Sequence, residues 1–375
     1  MSPPLQEEGG LGRASRQELA GPTPGGWQEV SLPGQAPDVA PKHPDKLLHP
    51  RHWPGLGRII GFFCVVALLA FAANAMINFG LRRIRTSDFG VSNRVMTGKI
   101  NAEVVITGSS RALTHYDCRV IQKITGHTSF NIGRNGSQTD MQLAYLKAYL
   151  ANDAKPRLVV HNLDLFSFLT SQEIYDSAQY LPYLDQEAIY AGVSRVYPDA
   201  WKWKYLPLYG YLVEDMRFTW ILGLKGFVGY QPKEDHFLGF LPRHTPWTGD
   251  FEKYRRDNPN GVRFEIEPQG IRDLEELTKV CRDQGIQVLF VYSPEYSEMQ
   301  ALERNRGEVF AKFRAIADRF QVRLWDYSDS PICKNRGNFY NSQHLNAEGA
   351  EAFSADLAKR LVESGLLSPT KAGTK

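Results

Sequence analysis

The signatures of several common enzyme and binding classes are absent from this chain of 375 residues. It has no Walker-type phosphate loop, no GxGxxG dinucleotide fingerprint and no HExxH metal motif. Its charge is nearly balanced, with 44 basic against 41 acidic residues, and no basic stripe is interleaved with aromatic residues. The sequence therefore does not indicate a nucleotide-dependent, metal-dependent or nucleic-acid-binding protein, and we expect a reaction that needs no cofactor.

Cysteine is scarce, and its spacing does not indicate a metal site. The four cysteines form no CxxC pair, which argues against structural zinc. Cys64 lies in an apolar run and Cys281 at the end of a predicted helix, so Cys118 and Cys333 are the only plausible disulfide partners. Sequence separation does not show the short Cα distance that a bridge needs, so both the bridged and the free state stay open.

The N-terminal part of the chain changes abruptly in composition. Residues 1–57 contain few large apolar side chains and much Gly, Pro, Gln and Glu, which predicts a disordered tail. Residues 59–79 carry no charge, are long enough to cross a bilayer, and lack the polar stripe of a buried core helix. We predict one transmembrane helix over 58–81, then a connector over 82–100. Basic residues flank both ends of the helix, so the positive-inside rule leaves its orientation open.

The rest of the chain alternates short apolar runs with helical patterns. We predict strands at 102–107, 128–132, 157–164, 286–292 and 322–327, and helices at 117–124, 139–151, 271–283, 299–320 and 347–363. Continuous apolar strands between helices are typical of a parallel sheet covered on both faces. The expected fold class is therefore α/β, over 101–366. Within it, 169–261 breaks the rhythm and predicts a helical, aromatic-rich insertion, and 367–375 is a tail.

Three polar clusters come after strands or just before a helix, where open parallel sheets bind ligands. Gly108-Ser109-Ser110-Arg111 follows the first strand, and its serines could be a nucleophile or a helix cap. A second loop, 131–138, begins with Asn131 and contains Gly136. The third cluster runs from Asn341 through His344 into the last predicted helix, where a histidine could serve a distant serine as general base. The other histidines, His115 and His161 among them, have no partner that the sequence identifies.

Taken together and in this order, the clusters resemble the blocks of the SGNH (GDSL-type) hydrolase superfamily, over about 103–361. The resemblance implies a flavodoxin-like three-layer sandwich with a five-stranded parallel sheet. It places Ser110 at the nucleophile, Gly136 at the oxyanion glycine and His344 at the base. Asn131, Arg111, Asp164 and Asn162 become candidates for oxyanion or substrate binding. Arg111 could bind an anionic sugar or form a surface ion pair.

The sequence departs from the family pattern at two places. Asn341 occupies the position of the family's acid; an amide oxygen can hold the imidazole ring but cannot stabilise its protonated form as an anion does. In the block His161-Asn162-Leu163-Asp164, only Asp164 keeps its register, and Leu163 stands where the family has an oxyanion asparagine. Asn162 is one position away, on the other face of a strand. One oxyanion donor could thus be missing or supplied elsewhere.

The membrane-anchored arrangement resembles bacterial proteins of cell-surface polysaccharide O-acylation. This implies an esterase or O-acyltransferase that acts on acyl esters, acetyl above all, of a cell-surface polysaccharide. It also implies a place in the bacterial inner membrane with the domain outside the cytoplasm, and a multi-pass acyltransferase as a possible partner. Two alternatives stay open: a catalytically degenerate scaffold that binds glycan or the acyltransferase, and a lipase that acts on membrane lipids.

Overall fold

The computed structural model describes residues 55–214 and 218–367. The predicted tails therefore lie outside the described residues, except for 55–57 and residue 367.

A five-stranded sheet forms the centre of the domain. Its strands are listed here in chain order: β1 Val104–Thr107, β2 Ser129–Asn131, β3 Leu158–Asn162, β4 Gln287–Tyr292 and β5 Arg323–Asp326. All neighbouring strands are parallel, in the order β2-β1-β3-β4-β5. This is the order of flavodoxin-like doubly wound folds. The five predicted strands and the predicted α/β class are confirmed.

Fourteen α-helices are present among the described residues. They are α1 Leu56–Arg82, α2 Ser87–Met96, α3 Ser110–His115, α4 Cys118–Thr125, α5 Thr139–Asn152, α6 Glu187–Val196, α7 Ala200–Tyr205, α8 Tyr209–Val213, α9 Thr219–Phe227, α10 Asp250–Asp257, α11 Pro268–Asp283, α12 Ser297–Gln300, α13 Arg306–Phe320 and α14 Ala347–Glu363. Short 3₁₀ helices lie at Ser177–Tyr183, Pro331–Lys334 and Arg336–Asn338. The single helix predicted over 299–320 is in fact two, α12 and α13, and residues 301–305 separate them.

Helices cover both faces of the sheet. Successive residues of a strand point to opposite faces, and both sets are buried against helices. Val105 packs into one apolar cluster with side chains of α2, α5 and α6. Val104 and Ile106 pack into another with side chains of α4 and α14. This gives the expected three layers. The segment 169–261 contains one 3₁₀ helix and α6 to α10, and Gly192 of α6 lies against Ala144 of α5.

The segment expected to be a connector, 82–100, is part of the folded domain. It contains α2, whose Val91 and Val95 are buried one helical turn apart. Ile77 and Leu81, near the end of α1, are buried in the same cluster. A short helix with mixed polarity gives little periodic signal, which is why the sequence pattern does not reveal it.

Cys118 and Cys333 do not form a disulfide. All four are free. Cys118, Cys281 and Cys333 are buried, and the Cys333 thiol donates to the Tyr327 carbonyl at 3.2 Å. Each therefore serves as a small core side chain.

Helix α1 differs from the others in what it exposes. It is the only helix in the described part of the chain that is long and apolar enough to cross a membrane. Its 27 residues give a length of about 40 Å at 1.5 Å per residue, and none of its most apolar stretch is buried in the protein.

Candidate active site

The turn after β1 places a serine at the carboxyl edge of the sheet. Gly108 has φ +145°, and a Cβ there would lie 2.9 Å from the Cβ atoms of Ala112 and Asn162, so the turn needs glycine. Ser109 caps α3, because its hydroxyl accepts from the Arg111 N–H at 3.2 Å. The cap position thus falls to Ser109, and Ser110, the first residue of α3, is left partly exposed.

The structure brings together Ser110, His344 and Asn341. Ser110 Oγ lies 2.7 Å from His344 Nε2, although the residues are 234 positions apart. On the other side of the ring, His344 Nδ1 lies 2.9 Å from Asn341 Oδ1. These three side chains form one continuous line of hydrogen bonds between β1 and the start of α14.

Backbone donors determine which way the Asn341 amide faces. Its Oδ1 also accepts from the backbone N–H groups of His344, at 2.9 Å, and Gln343, at 3.1 Å. A backbone N–H can only donate, so the oxygen and not the NH₂ group must face it. His344 Nδ1 must then carry the proton and donate to this oxygen. Nε2 is left as an acceptor facing the Ser110 hydroxyl, which is the tautomer that a general base needs.

The electrostatic surroundings keep His344 neutral. Burial, with the positive charges of Arg111 and Arg243, lowers the pKa of His344 to about 3. The Tyr340 ring stacks on the imidazole, with 5.4 Å between the ring centroids and a 17° angle between the planes. The lowered pKa favours an unprotonated imidazole at neutral pH, and the Tyr340 ring supports one face of it.

Beneath the serine turn, Asp164 is the centre of a buried polar group. Ser109 Oγ donates to Asp164 Oδ2 at 2.7 Å, and the Arg111 guanidinium lies 3.4 Å from Asp164 Oδ1. Burial raises the pKa of Asp164 to about 6, against the opposing effect of Arg111. Arg111 is only 3% exposed and lies over the Tyr292 ring. It therefore forms neither the surface ion pair nor the open anion site expected from sequence, because its charge is used inside the fold.

The side chains of Asn162 and Asn131 are also used inside the fold. The Asn162 amide accepts from the Tyr116 hydroxyl at 2.8 Å and donates to Asp164 at 3.2 Å. The Asn131 amide donates to the Ala112 carbonyl at 2.7 Å and accepts from the Gly133 N–H at 2.9 Å. Both residues are fully buried. Neither side chain is placed to bind substrate, which corrects the expectation for both.

Gly136 and Leu163 occupy the two positions where the SGNH resemblance places oxyanion donors. Gly136 is exposed, has φ +63°, and lies so close to Tyr175 that a Cβ would be 2.5 Å from that side chain. The conformation and the close approach both require glycine. Leu163, at the position of the family's asparagine, is buried in an apolar cluster, so it offers no side-chain donor.

One residue with no sequence signal helps to position the loop that carries His344. His115, in α3, accepts the backbone N–H of Leu345 at Nε2, at 3.0 Å. Its Nδ1 must then be the protonated nitrogen, and it lies 2.8 Å from Ser293 Oγ. Burial lowers the pKa of His115 well below its usual value, in keeping with this neutral form. His115 thus fixes the loop residue next to His344, a contact that depends on a partner 230 positions away.

No protein-family model and no curated protein sequence matches the chain significantly. Solved structures do. One is a candidate acylhydrolase of Bacteroides fragilis, with 12% identity and a TM-score of 0.36, which covers 73% of this chain and 93% of that one. Another is TesA, with 13% identity and a TM-score of 0.35, at 70% and 99% coverage. A third is a GDSL-like lipase of Bacteroides thetaiotaomicron, with 10% identity and a TM-score of 0.31, at 68% and 87% coverage. Similarities of this size concern the fold alone.

Proposed function

We propose that the chain is a membrane-anchored serine esterase or O-acyltransferase in which Ser110 is the nucleophile and His344 the general base. The observation that carries this proposal is the hydrogen-bonded line from Ser110 through His344 to Asn341. A neutral imidazole whose lone pair faces a partly exposed hydroxyl is the arrangement that activates a serine. Asn341 holds the ring in the required tautomer without supplying a negative charge.

In the proposed reaction, Ser110 Oγ attacks the carbonyl carbon of an ester while His344 Nε2 takes the hydroxyl proton. The tetrahedral oxyanion is stabilised by the N–H groups of Ser110 and Gly136. His344 then returns the proton to the departing alcohol oxygen, which leaves an acyl group on Ser110. Water or a sugar hydroxyl attacks this acyl group while His344 takes its proton. The bond between the acyl carbon and Ser110 Oγ then breaks, and His344 returns the proton to Ser110 Oγ, which regenerates the serine.

For the substrate, we infer an acyl ester, acetyl in the first instance, on a cell-surface polysaccharide. The support is the motif resemblance together with a helix able to anchor the domain at a membrane. The same reasoning gives a place in the bacterial inner membrane with the domain outside the cytoplasm. A multi-pass acyltransferase that hands over or receives the acyl group is the partner that fits such a role.

The test is labelling of the full-length protein, in detergent or in lipid nanodiscs, with a fluorophosphonate probe that captures activated serines. We expect labelling of the native chain and its loss in both Ser110→Ala and His344→Ala. Ser364→Ala, which removes a serine hydroxyl at the end of α14, is the matched control and should label normally. Hydrolysis of an acetylated glycan is then compared with hydrolysis of micellar phospholipid, and activity on phospholipid alone would favour the lipase.

One observation favours the degenerate scaffold as the second candidate. The family's oxyanion asparagine is replaced by the buried Leu163, and the neighbouring Asn162 amide is fully engaged. If the folded native chain takes up no probe, the esterase proposal is refuted. Binding of glycan or of the acyltransferase would then be the function to measure.

A further inference from the structure

Exposed apolar side chains are concentrated in one part of the domain. We use the name collar for residues 201–214 and 218–230. Apart from α1, the described chain has only three exposed large apolar side chains outside the collar, at Tyr175, Phe237 and Tyr254. Those within it are Trp201, Tyr205, Leu206, Leu212, Val213, Phe218, Ile221, Leu224, Phe227, Val228 and Tyr230. Leu212 and Val228 are each 80% exposed. A concentration of exposed large apolar side chains in one stretch of the chain is typical of a surface that contacts a partner or a membrane.

The collar is packed directly against the end of the apolar helix. A Cβ on Gly223 would lie 2.8 Å from the Ile77 carbonyl oxygen, and one on Gly226 would lie 2.4 Å from the Gly80 carbonyl oxygen. Such backbone-to-backbone contact through glycines is typical of helices that associate within membranes. The contacts follow the same order in both helices, so α9 runs parallel to α1. Thr219, four residues before Gly223, therefore lies about 6 Å further toward the centre of α1.

The collar also provides partners for the polar groups of α1. The Asn74 amide oxygen accepts from the Leu208 backbone N–H at 3.1 Å, and the Asn78 amide oxygen accepts from the Tyr211 hydroxyl at 2.7 Å. In a hydrocarbon environment an unpaired polar group is strongly destabilising, because no water is present to form its hydrogen bonds. Because Leu208 and Tyr211 are hydrogen-bonded to the two asparagines, they lie beside them along α1. In a bilayer these hydrogen bonds would stabilise the helix.

Basic side chains lie next to aromatic rings within the collar and at the end of α1. The Arg83 guanidinium lies 5.4 Å from the centre of the Phe79 ring, and the Lys225 ammonium lies 5.7 Å from that of Tyr230. The Lys202 ammonium similarly lies 5.8 Å from Trp201. Tyr and Trp with neighbouring Lys and Arg are the residues that occupy the headgroup level of a bilayer. The collar thus combines exposed apolar side chains with basic–aromatic pairs of the kind found at the headgroup level.

We propose that the collar is embedded in one leaflet of the bilayer that α1 crosses, with lipid acyl chains covering its exposed apolar side chains. This inference rests on the proposed membrane span, and it adds a second point of attachment. The collar and α1 share a packed interface, so the domain sits on the membrane in a fixed orientation and is not suspended from a flexible tether. The exposed aromatic residues of the collar then contact lipid rather than sugar, whereas Trp203 and Tyr211 pack inside the protein.

The test measures depth in the bilayer with an environment-sensitive NBD label on single cysteines of the full chain in phosphatidylglycerol-containing nanodiscs. Cys64 is exposed on α1 while the other three cysteines are buried, so the native chain labelled at Cys64 reports on the span alone. In a Cys64→Ala background, Leu212→Cys and Val228→Cys report on the collar. Lys312→Cys, on the exposed side of α13, is the water control.

If the proposal holds, lipid-borne doxyl groups quench the labels at positions 212 and 228, and their emission shifts to the blue relative to the label at 312. Iodide serves as the quencher in water. If doxyl groups quench the label at Cys64 but iodide quenches the labels at 212 and 228, the collar is not in the bilayer, and only the membrane span remains supported. Collar labels shielded from both quenchers would show that protein covers the surface, which also overturns the proposal. An unquenched label at Cys64 would refute the span, and the collar with it.

Discussion

At the residue scale, the most informative difference from an acid-containing triad is that His344 is held by an amide. The Asn341 oxygen already lies where a carboxylate oxygen would accept from Nδ1 and from two backbone N–H groups. Asn341→Asp should therefore preserve the geometry and add a negative charge that stabilises the protonated ring. A charge-assisted hydrogen bond adds about 1–2 kcal/mol over a neutral one, so we expect about a tenfold faster reaction of Ser110 with fluorophosphonate.

The matched control for this change is Asn346→Asp, which puts a carboxylate at the cap of α14. The Asn346 oxygen accepts from the Gly349 N–H and the Asn346 NH₂ group donates to the Gly337 carbonyl, so neither of these hydrogen bonds involves the His344 ring. Replacing Asn346 by Asp adds the same charge near the site but no hydrogen bond to the His344 ring. A rate that is unchanged in Asn341→Asp, or that rises equally in both variants, would contradict the role given to this contact.

The pH dependence of the native site follows from the lowered pKa of His344. A histidine with a pKa of about 3 takes up a proton only in strong acid, so the reactive neutral form persists well below pH 6.5. The rate of probe labelling should accordingly show no decrease as the pH falls through 6.5, and His344 should begin to limit it only as the pH approaches 3. Initial labelling rates from pH 4 to 8, with circular dichroism to verify folding, measure this. A half-maximal rate near pH 6.5 would contradict it.

What could be predicted for single residues depended on how local their signal is. Ser110 and His344 lie in short blocks whose resemblance to the SGNH blocks implies their roles, and the structure brings the two side chains together. Arg111 pairs with Asp164 and Asn162 with Tyr116, and each partner is distant in sequence. The sequence therefore could not show that the polar groups of Arg111 and Asn162 point into the fold. The role of His115 is hidden for the same reason.

At the element scale, the packing of α9 on α1 allows no added atoms at its glycines. A side chain on Gly226 would meet the Gly80 carbonyl, a backbone atom that cannot rotate away. Gly226→Leu should therefore push the helices apart and destabilise the fold by about 1–3 kcal/mol, seen as a lower unfolding midpoint in detergent. Gly307→Leu is the matched control, since it lies in α13 with nothing within 4 Å of a Cβ. Equal midpoints for the two variants would show that the α1–α9 contact contributes little.

The sheet could be predicted from sequence because β1, β3 and most of β4 are continuous buried runs, the pattern of a parallel sheet. The helix α2 could not, since only a few of its residues show an apolar period. The contact between α1 and α9 could not be predicted either. The contact requires glycine at 80, 223 and 226, and this requirement is visible only when the two helices are side by side.

At the scale of the whole molecule, the apolar helix and the domain share one hydrophobic core. Hydropathy divides the chain near residue 81, but the folded boundary lies earlier, because Ile77 and Leu81 are buried with Val95 of α2. The Asn93 amide donates to the carbonyls of Leu81, at 2.9 Å, and Ile84, at 2.8 Å. These bonds hold the end of α1 within the domain. A soluble fragment that begins after residue 82 would therefore lack part of its core.

Two leucines of the same helix test this continuity in the full chain. Leu81 is 0% exposed within the domain, whereas Leu69 is 63% exposed on the bare part of α1. Leu81→Ala leaves a cavity in the core, so we expect it to lower the stability of the domain by about 2–5 kcal/mol. Leu69→Ala removes the same atoms from a surface that faces no protein and should leave domain unfolding unchanged. Denaturant unfolding in detergent, followed by tryptophan fluorescence, compares the two. Matching curves would mean that α1 does not contribute to the stability of the domain, whereas a loss confined to Leu81→Ala would make the apolar helix and the domain a single folding unit.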